Sequence, residues 1–185
     1  MTDRVPRAAA HLPLSPVEHV IGPSTARVIV FEYGDFECPT CAQAYPAVKM
    51  LLKHFEKRIQ FAFRHFPLVE AHPHAELAAE AAEAAGAQGK FWQMHDHLFE
   101  NQHHLKAAAL RQYAEAIALD MHRYDAEMDD HIYLQRVQEH VDSGRAAGIH
   151  ATPGLVVDDF IVDVSFGMER LFKMVETRLS GAAAR

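Results

Sequence analysis

The apolar positions of the chain change period along its length. Val28-Ile29-Val30-Phe31 is an apolar run, Glu32 and Tyr33 extend it, and Gly34-Asp35 follows with turn chemistry, so Val28 to Tyr33 predicts a strand. From Cys41 to Lys57 the spacing lengthens. Ala44, Val48, Leu51, Leu52 and Phe55 fall on one side of a predicted helix, with Pro46 inside it as an expected kink because it lacks a backbone donor. Ile59 to Phe66 alternates in part and predicts a second strand that stops at Pro67, while a short edge strand is expected near Glu18 to Ile21.

The middle third is helical in pattern. Ala75 to Ala85 is rich in alanine and glutamate without glycine or proline, and Gly86 and Gly89 separate it from a helix led by Phe91-Trp92-Gln93-Met94 and reaching about Phe99. Leu105 to Leu119 and Tyr124 to Ala147 keep helical spacing, the latter with Leu134, Val137 and Val141 on one face. Thr152-Pro153-Gly154 then introduces Leu155-Val156-Val157, a turn at Asp158-Asp159 and the strand-like Phe160 to Val164, which together predict a hairpin. Met168, Leu171, Phe172, Val175 and Leu179 form the stripe of a last helix. The order is strand, helix, strand, helical lobe, hairpin, helix. It divides the chain into an arm (1–27), an α/β core (28–70 and 150–185) and an all-helical insertion (71–149).

Composition narrows the class. In 185 residues, 49% are hydrophobic and 23% charged, the balance of an ordinary globular protein. A formal charge of −7 provides no basic surface, so nucleic acid is not an expected partner. Met1 to Val20 is broken by Pro6, Pro13 and Pro16 and offers no apolar stretch of signal-peptide or membrane-spanning kind. The expected location is therefore the cytoplasm, with no membrane partner, where disulfides are transient and catalytic; a trimmed start would make it periplasmic.

The chemistry of the chain is carried by its two cysteines, three apart in Phe36-Glu37-Cys38-Pro39-Thr40-Cys41, where the first strand runs into the first helix. If Cys38 opens that helix, unpaired N–H groups and the positive end of the helix dipole favour its thiolate. Cys41, one turn on, then reaches the same sulfur, an arrangement suited to thiol–disulfide exchange. Half of a zinc site is the alternative, but no second cysteine pair exists; two buried inert thiols is the other. Histidine is unusually frequent, at 14, and clusters as His72-Pro-His74, His95-Asp-His97 and His103-His104. Spacing of i, i+2 does not suit a zinc pair on a helix, which prefers i, i+4, so no metal site is expected.

Four strings in order, Glu32 to Cys41 (Glu-Tyr-Gly-Asp-Phe-Glu-Cys-Pro-Thr-Cys), Phe63 to Leu68 (Phe-Arg-His-Phe-Pro-Leu), His72 to Ala75 (His-Pro-His-Ala) and Gly89 to His95 (Gly-Lys-Phe-Trp-Gln-Met-His), resemble the DsbA-like members of the thioredoxin superfamily. The resemblance runs from about Val28 to the final helix and implies a thioredoxin fold, a central mixed β-sheet flanked by helices, with an all-helical insertion. It implies that Cys38 attacks, that Cys41 resolves, and that Pro39 and Thr40 tune the potential. Pro-Thr matches neither the Gly-Pro of thioredoxin nor the Pro-His of DsbA. Glu32 would be the buried acid under the site, accepting a proton from Cys41, although the alternation along the strand leaves a solvent-facing Glu32 open. Thr152-Pro153 would be a cis-proline loop whose backbone holds an extended polypeptide. Independently of the resemblance, His65 beside Pro67 at the end of the second strand is a candidate to assist the thiolate, although a surface or satisfied-core histidine is the favoured reading of it. Relatives often continue Thr-Pro-Thr-Phe-Phe with a later Asn-Gly turn. This chain has Thr-Pro-Gly-Leu-Val and Asp158-Asp159 instead, which bears on substrate preference.

The implied activity is thiol–disulfide exchange with polypeptide substrates, using no metal or organic cofactor beyond the cysteine pair and a redox partner such as the thioredoxin or glutathione system. Two alternatives stay open. One is glutathione-linked transferase or isomerase chemistry on the same architecture, whose members typically carry serine at the first cysteine position; the other is a non-enzymatic redox-responsive binding module.

Overall fold

Five strands form one sheet in the order β1-β3-β2-β4-β5 in a computed structural model of the chain, which describes residues 6–182. The strands are β1 (His19–Ile21), β2 (Val28–Gly34), β3 (Ile59–His65), β4 (Gly154–Val157) and β5 (Phe160–Val162); the helices are α1 (Pro39–His54), α2 (Ala75–Gly86), α3 (Phe91–Glu100), α4 (Ala107–Ala116), α5 (Met121–Asp129), α6 (Leu134–Ala147) and α7 (Glu169–Ala182). β2 and β3 pair in parallel through the α1 crossover, with Val30 opposite Phe61 and Glu32 opposite Phe63, while β1, β4 and β5 run antiparallel to their neighbours. The sheet is therefore mixed. β2 lies at its centre and is buried almost throughout, which is why it reads as a continuous apolar run rather than an alternation.

The pleat sorts side chains to two cores. Val28, Val30, Phe61, Phe63, Leu155 and Val157 pack with Val48 and Leu51 of α1, Leu171 and Val175 of α7 and much of the helical lobe. Phe31, Tyr33, Ala62 and Val156 face the other way and are covered by Ala147, Ile149 and Leu12. The amino-terminal arm thus forms part of the second layer, and it also pairs at the sheet edge, with Arg7 bridging to Phe160.

Most predicted elements appear within a residue or two of the expected bounds, including the edge strand β1 and the helix carrying Pro46. Two expectations are corrected. The stretch from Tyr124 to Ala147 is two helices, because His131 adopts a left-handed φ of 50° between them while its imidazole bonds to Glu80 at 3.0 Å. The final strand ends at Val162, short of Val164. α6 itself stops at Gly148, whose φ of 90° lets it and Ile149 return hydrogen bonds to Arg145 and Gly144. Among the described residues no helix is long and apolar enough to cross a membrane.

Candidate active site

The end of β2 delivers the cysteines to the first turn of α1. Gly34 is required there by close approach: a Cβ would meet the Phe63 ring at 2.4 Å, and that ring stacks against Phe36 at 5.2 Å between centroids. With Phe36 anchored in the core, Cys38 becomes the N-cap of α1, in extended conformation, and Pro39 takes the first helical position, where its missing donor costs nothing. The orphan N–H groups of this helix start sit beside the sulfur.

Both thiols are free, and their surroundings differ. Cys38 Sγ lies 2.9 Å from Thr40 Oγ1 and 3.6 Å from the Thr152 carbonyl oxygen, and the Cys41 thiol donates toward it. Cys41's hydrogen bond is the largest influence and outweighs burial, so Cys38 is held down at about 4. Cys41 is fully buried; desolvation first, then its bond to Cys38 and the nearby charge of Glu32, push its thiol well above the ordinary range. One sulfur is a thiolate at neutral pH and the other a stored proton.

Glu32 lies on the Val30 side of the sheet, under the cysteines, and burial pushes its carboxyl up to about 8. The solvent-facing alternative is thereby excluded. Across the site the Thr152–Pro153 bond is cis, as expected. Thr40 Oγ1 donates to the Thr152 carbonyl at 2.8 Å, tying the dipeptide between the cysteines to the proline loop, and the Thr152 hydroxyl is buried without a partner. A cleft of about 520 Å³ opens alongside, lined among others by Thr40, Gln43, Ala151, Pro153, Val164 and Met168. Phe166, on the loop leading to α7, is 90% exposed between the lining residues Ser165 and Gly167.

His65 is placed differently from the other expected site residues. Its Nε2 meets Glu83 Oε1 at 2.9 Å and its ring packs on Phe36 and His140, so its polar contact runs into the helical lobe rather than to a sulfur. His65, Glu83 and His140 bring ligand-type atoms within 4.8 Å of one another. Glu83 already serves His19 and Arg136 as well as His65, and His140 Nδ1 already accepts the His65 backbone N–H, so the donor set is that of a charge hub.

Several residues around the site were not legible as functional. Gln102, in the loop after α3, donates through Nε2 to the carbonyls of Phe36 (3.0 Å) and Cys38 (2.7 Å), pinning the active-site turn to the lobe. Asp35 and Glu37 pair with His72 (2.7 Å) and His74 (2.9 Å). The matching Asp-x-Glu and His-x-His spacings were the available signal. The His-x-His pair alone read as a metal question, because its acidic partners lie far away in sequence.

With the geometry in hand, comparison with known proteins gives the same class. A family model described as thioredoxin matches residues 14–177, and the chain belongs to that family. Among curated proteins it is 44% identical over 168 residues to the Na(+)/H(+) antiporter NhaA 1 of Salinispora arenicola, a match covering 91% of this chain but 26% of that protein. Its fold is shared with BdbD from Bacillus subtilis (TM-score 0.84, 22% identity, covering 95% of this chain and 100% of that one) and with the thiol-disulfide exchange protein alpha-DsbA2 from Wolbachia pipientis (TM-score 0.75, 18% identity, 88% and 87%).

Proposed function

We propose that the protein is a thiol–disulfide oxidoreductase acting on polypeptides, with Cys38 as nucleophile and Cys41 as resolving thiol. The observation that carries this reading is the asymmetry of the pair: a thiolate held down to about 4 beside a buried thiol pushed well up. In the reducing direction, Cys38 Sγ attacks one sulfur of a substrate disulfide, a mixed disulfide forms and the other substrate sulfur leaves as a thiolate. Cys41 then gives up its proton, with Glu32 as acceptor, and attacks Cys38 Sγ. The products are the Cys38–Cys41 disulfide and a substrate dithiol; oxidation is the same sequence reversed. A carboxyl that titrates near 8 exchanges protons close to neutral pH, which suits Glu32 to this role. Thr152 and Pro153 present backbone to an extended segment, and the cleft with exposed Phe166 fits a polypeptide better than a small thiol.

Insulin-disulfide reduction tests the proposal. Wild type turns over with dithiothreitol, Cys38→Ser does not, and Cys41→Ser accumulates a mixed disulfide with the substrate. Absence of thiol-dependent turnover in wild type overturns it.

A second reading draws on a separate observation: a curated relative named as an antiporter carries a segment similar to this chain as about a quarter of its length. The dithiol would then act as a redox-responsive module attached to a transport protein. It predicts disulfide-dependent binding without turnover in the same assay.

A further inference from the structure

The pairing of Asp35 with His72 has a consequence for the dithiol. Asp35 lies in the turn between β2 and α1, and its carboxylate is wholly buried. Oδ1 accepts the Glu37 N–H at 2.8 Å; Oδ2 accepts the Leu68 N–H at 2.8 Å and His72 Nδ1 at 2.7 Å. Against this buried carboxylate the imidazole of His72 is the cation-forming group. The carbonyl of the same Asp35 accepts the Cys38 N–H at 3.1 Å, so carboxylate and sulfur share one four-residue turn. Glu37, the other acid of that turn, has its own partner, since His74 donates to it from both the backbone N–H (2.6 Å) and Nδ1.

We propose that His72 is a positioning residue that supplies the countercharge for the Cys38 thiolate through Asp35, and that reducing the Cys38–Cys41 disulfide draws a proton onto His72. The coupling rests on the oxidoreductase reading of the pair. Two electrons from a dithiol donor break the Cys38–Cys41 bond; Cys38 keeps its charge as a thiolate and Cys41 takes one proton. The turn now holds one more negative charge than in the disulfide form. The titratable groups facing His72 are Asp35, Glu37 and Cys38, all acidic and all on the β2–α1 turn, so the imidazolium is favoured more strongly in the reduced state. Its side chain is 17% exposed, which gives it access to water for proton exchange. Burial opposes the charge, and the Asp35 hydrogen bond followed by the charges of Asp35, Cys38 and Glu37 outweigh it, raising the pKa overall. Reduction therefore takes up one proton at Cys41 and, where His72 is partly protonated in the disulfide form, a further fraction at His72.

The midpoint potential of the full chain against the dithiothreitol couple, followed across the histidine range of pH, gives the number of protons taken up per two electrons. Wild type is expected to exceed His72→Gln in that range, and Cys38 alkylation at mildly acid pH is expected to slow several-fold in the variant. His72→Lys, which keeps a fixed charge, should restore fast alkylation without restoring the excess proton. Equal proton counts in wild type and His72→Gln overturn the proposal. An NMR titration of the His72 imidazole separates this from the broader reading: its pKa should fall in Cys38→Ser relative to reduced wild type, and an unchanged value overturns the coupling. A pair that shows the excess proton and the NMR shift but no thiol-dependent turnover of insulin overturns the oxidoreductase reading and leaves the coupling standing.

Discussion

Cys38 and Cys41 are separated by two residues and a large difference in acidity, and the hydroxyl of Thr40 is one of the few groups that can adjust it. Thr40 Oγ1 has a single proton and two acceptors within reach, the Thr152 carbonyl at 2.8 Å and Cys38 Sγ at 2.9 Å. When Cys38 is a thiolate the proton is better used on sulfur. Alkylation by iodoacetamide should therefore follow a titration centred near 4 for Cys38, with Cys41 unreactive, and Thr40→Val should move that midpoint upward. The stability of the reduced form follows the same sign. A thiol whose folded pKa is depressed contributes stability that is complete above the unfolded value of 9.0 and is lost as pH falls through about 4. Glu32 has the opposite sign. Its folded pKa is raised from 4.5 to about 8, so ionising it costs nothing below 4.5 and progressively more up to 8. Glu32→Gln should stabilise the fold by about 3 kcal/mol at pH 7, with the gain vanishing below pH 4.5, while slowing resolution of the mixed disulfide; denaturant melts across pH and single-turnover kinetics read the two effects separately.

Among the elements, the arm and β3 are joined by a side chain whose role is not visible in the strand pattern. Arg64 is 5% exposed on the second face of the sheet, stacked over Phe31 at 4.6 Å, and it donates to Glu18, to Tyr33 Oη at 2.8 Å and to the Pro13 carbonyl at 2.7 Å. Glu18→Ala removes the carboxylate from this buried guanidinium and leaves its charge uncompensated, a loss of about 3 to 5 kcal/mol in a urea melt, whereas cutting an exposed pair such as Arg111–Asp125 should leave the urea midpoint nearly unchanged. The contrast shows what was legible. β2, β3, the β4–β5 hairpin, α1 and α7 declare themselves through apolar spacing because each buries one coherent face. The Tyr124 to Ala147 break did not, since it depends on a left-handed His131 and a Glu80 contact some fifty positions away. The same holds at the site: the cysteines, Glu32 and the cis loop follow from local strings, but no spacing encodes Gln102 reaching the Cys38 carbonyl, and the matching spacings of Asp35-x-Glu37 and His72-x-His74 do not say that these distant segments meet.

For the whole molecule, Glu83 on α2 is the point where the helical lobe and the sheet are held together, because it meets His19 of β1, His65 of β3 and Arg136 of α6. The arrangement makes the assembly sensitive to acid. Burial lowers the pKa of His65, His95 and His140, the last to about 2, so these imidazoles stay neutral in the folded protein below the pH at which they charge in the unfolded chain. Each therefore leaves the unfolded state binding more protons than the folded one as pH falls below 6.5, and for His140 stability drops by up to about 1.4 kcal/mol per pH unit. His72 and His131, whose pKa values are raised, act in the other direction. Their stabilisation is complete below 6.5 and disappears as pH rises through their folded values, so they add no slope in acid. The three buried histidines together predict that stability falls as pH drops between roughly pH 6 and pH 5, before most carboxylates titrate. His140→Asn lowers absolute stability by disturbing the contact with the His65 N–H, yet it should flatten that slope by one proton, about 1.4 kcal/mol per pH unit. Urea midpoints measured at intervals across this range distinguish the two effects: a parallel downward shift with unchanged slope would show that His140 already binds its proton in the folded state.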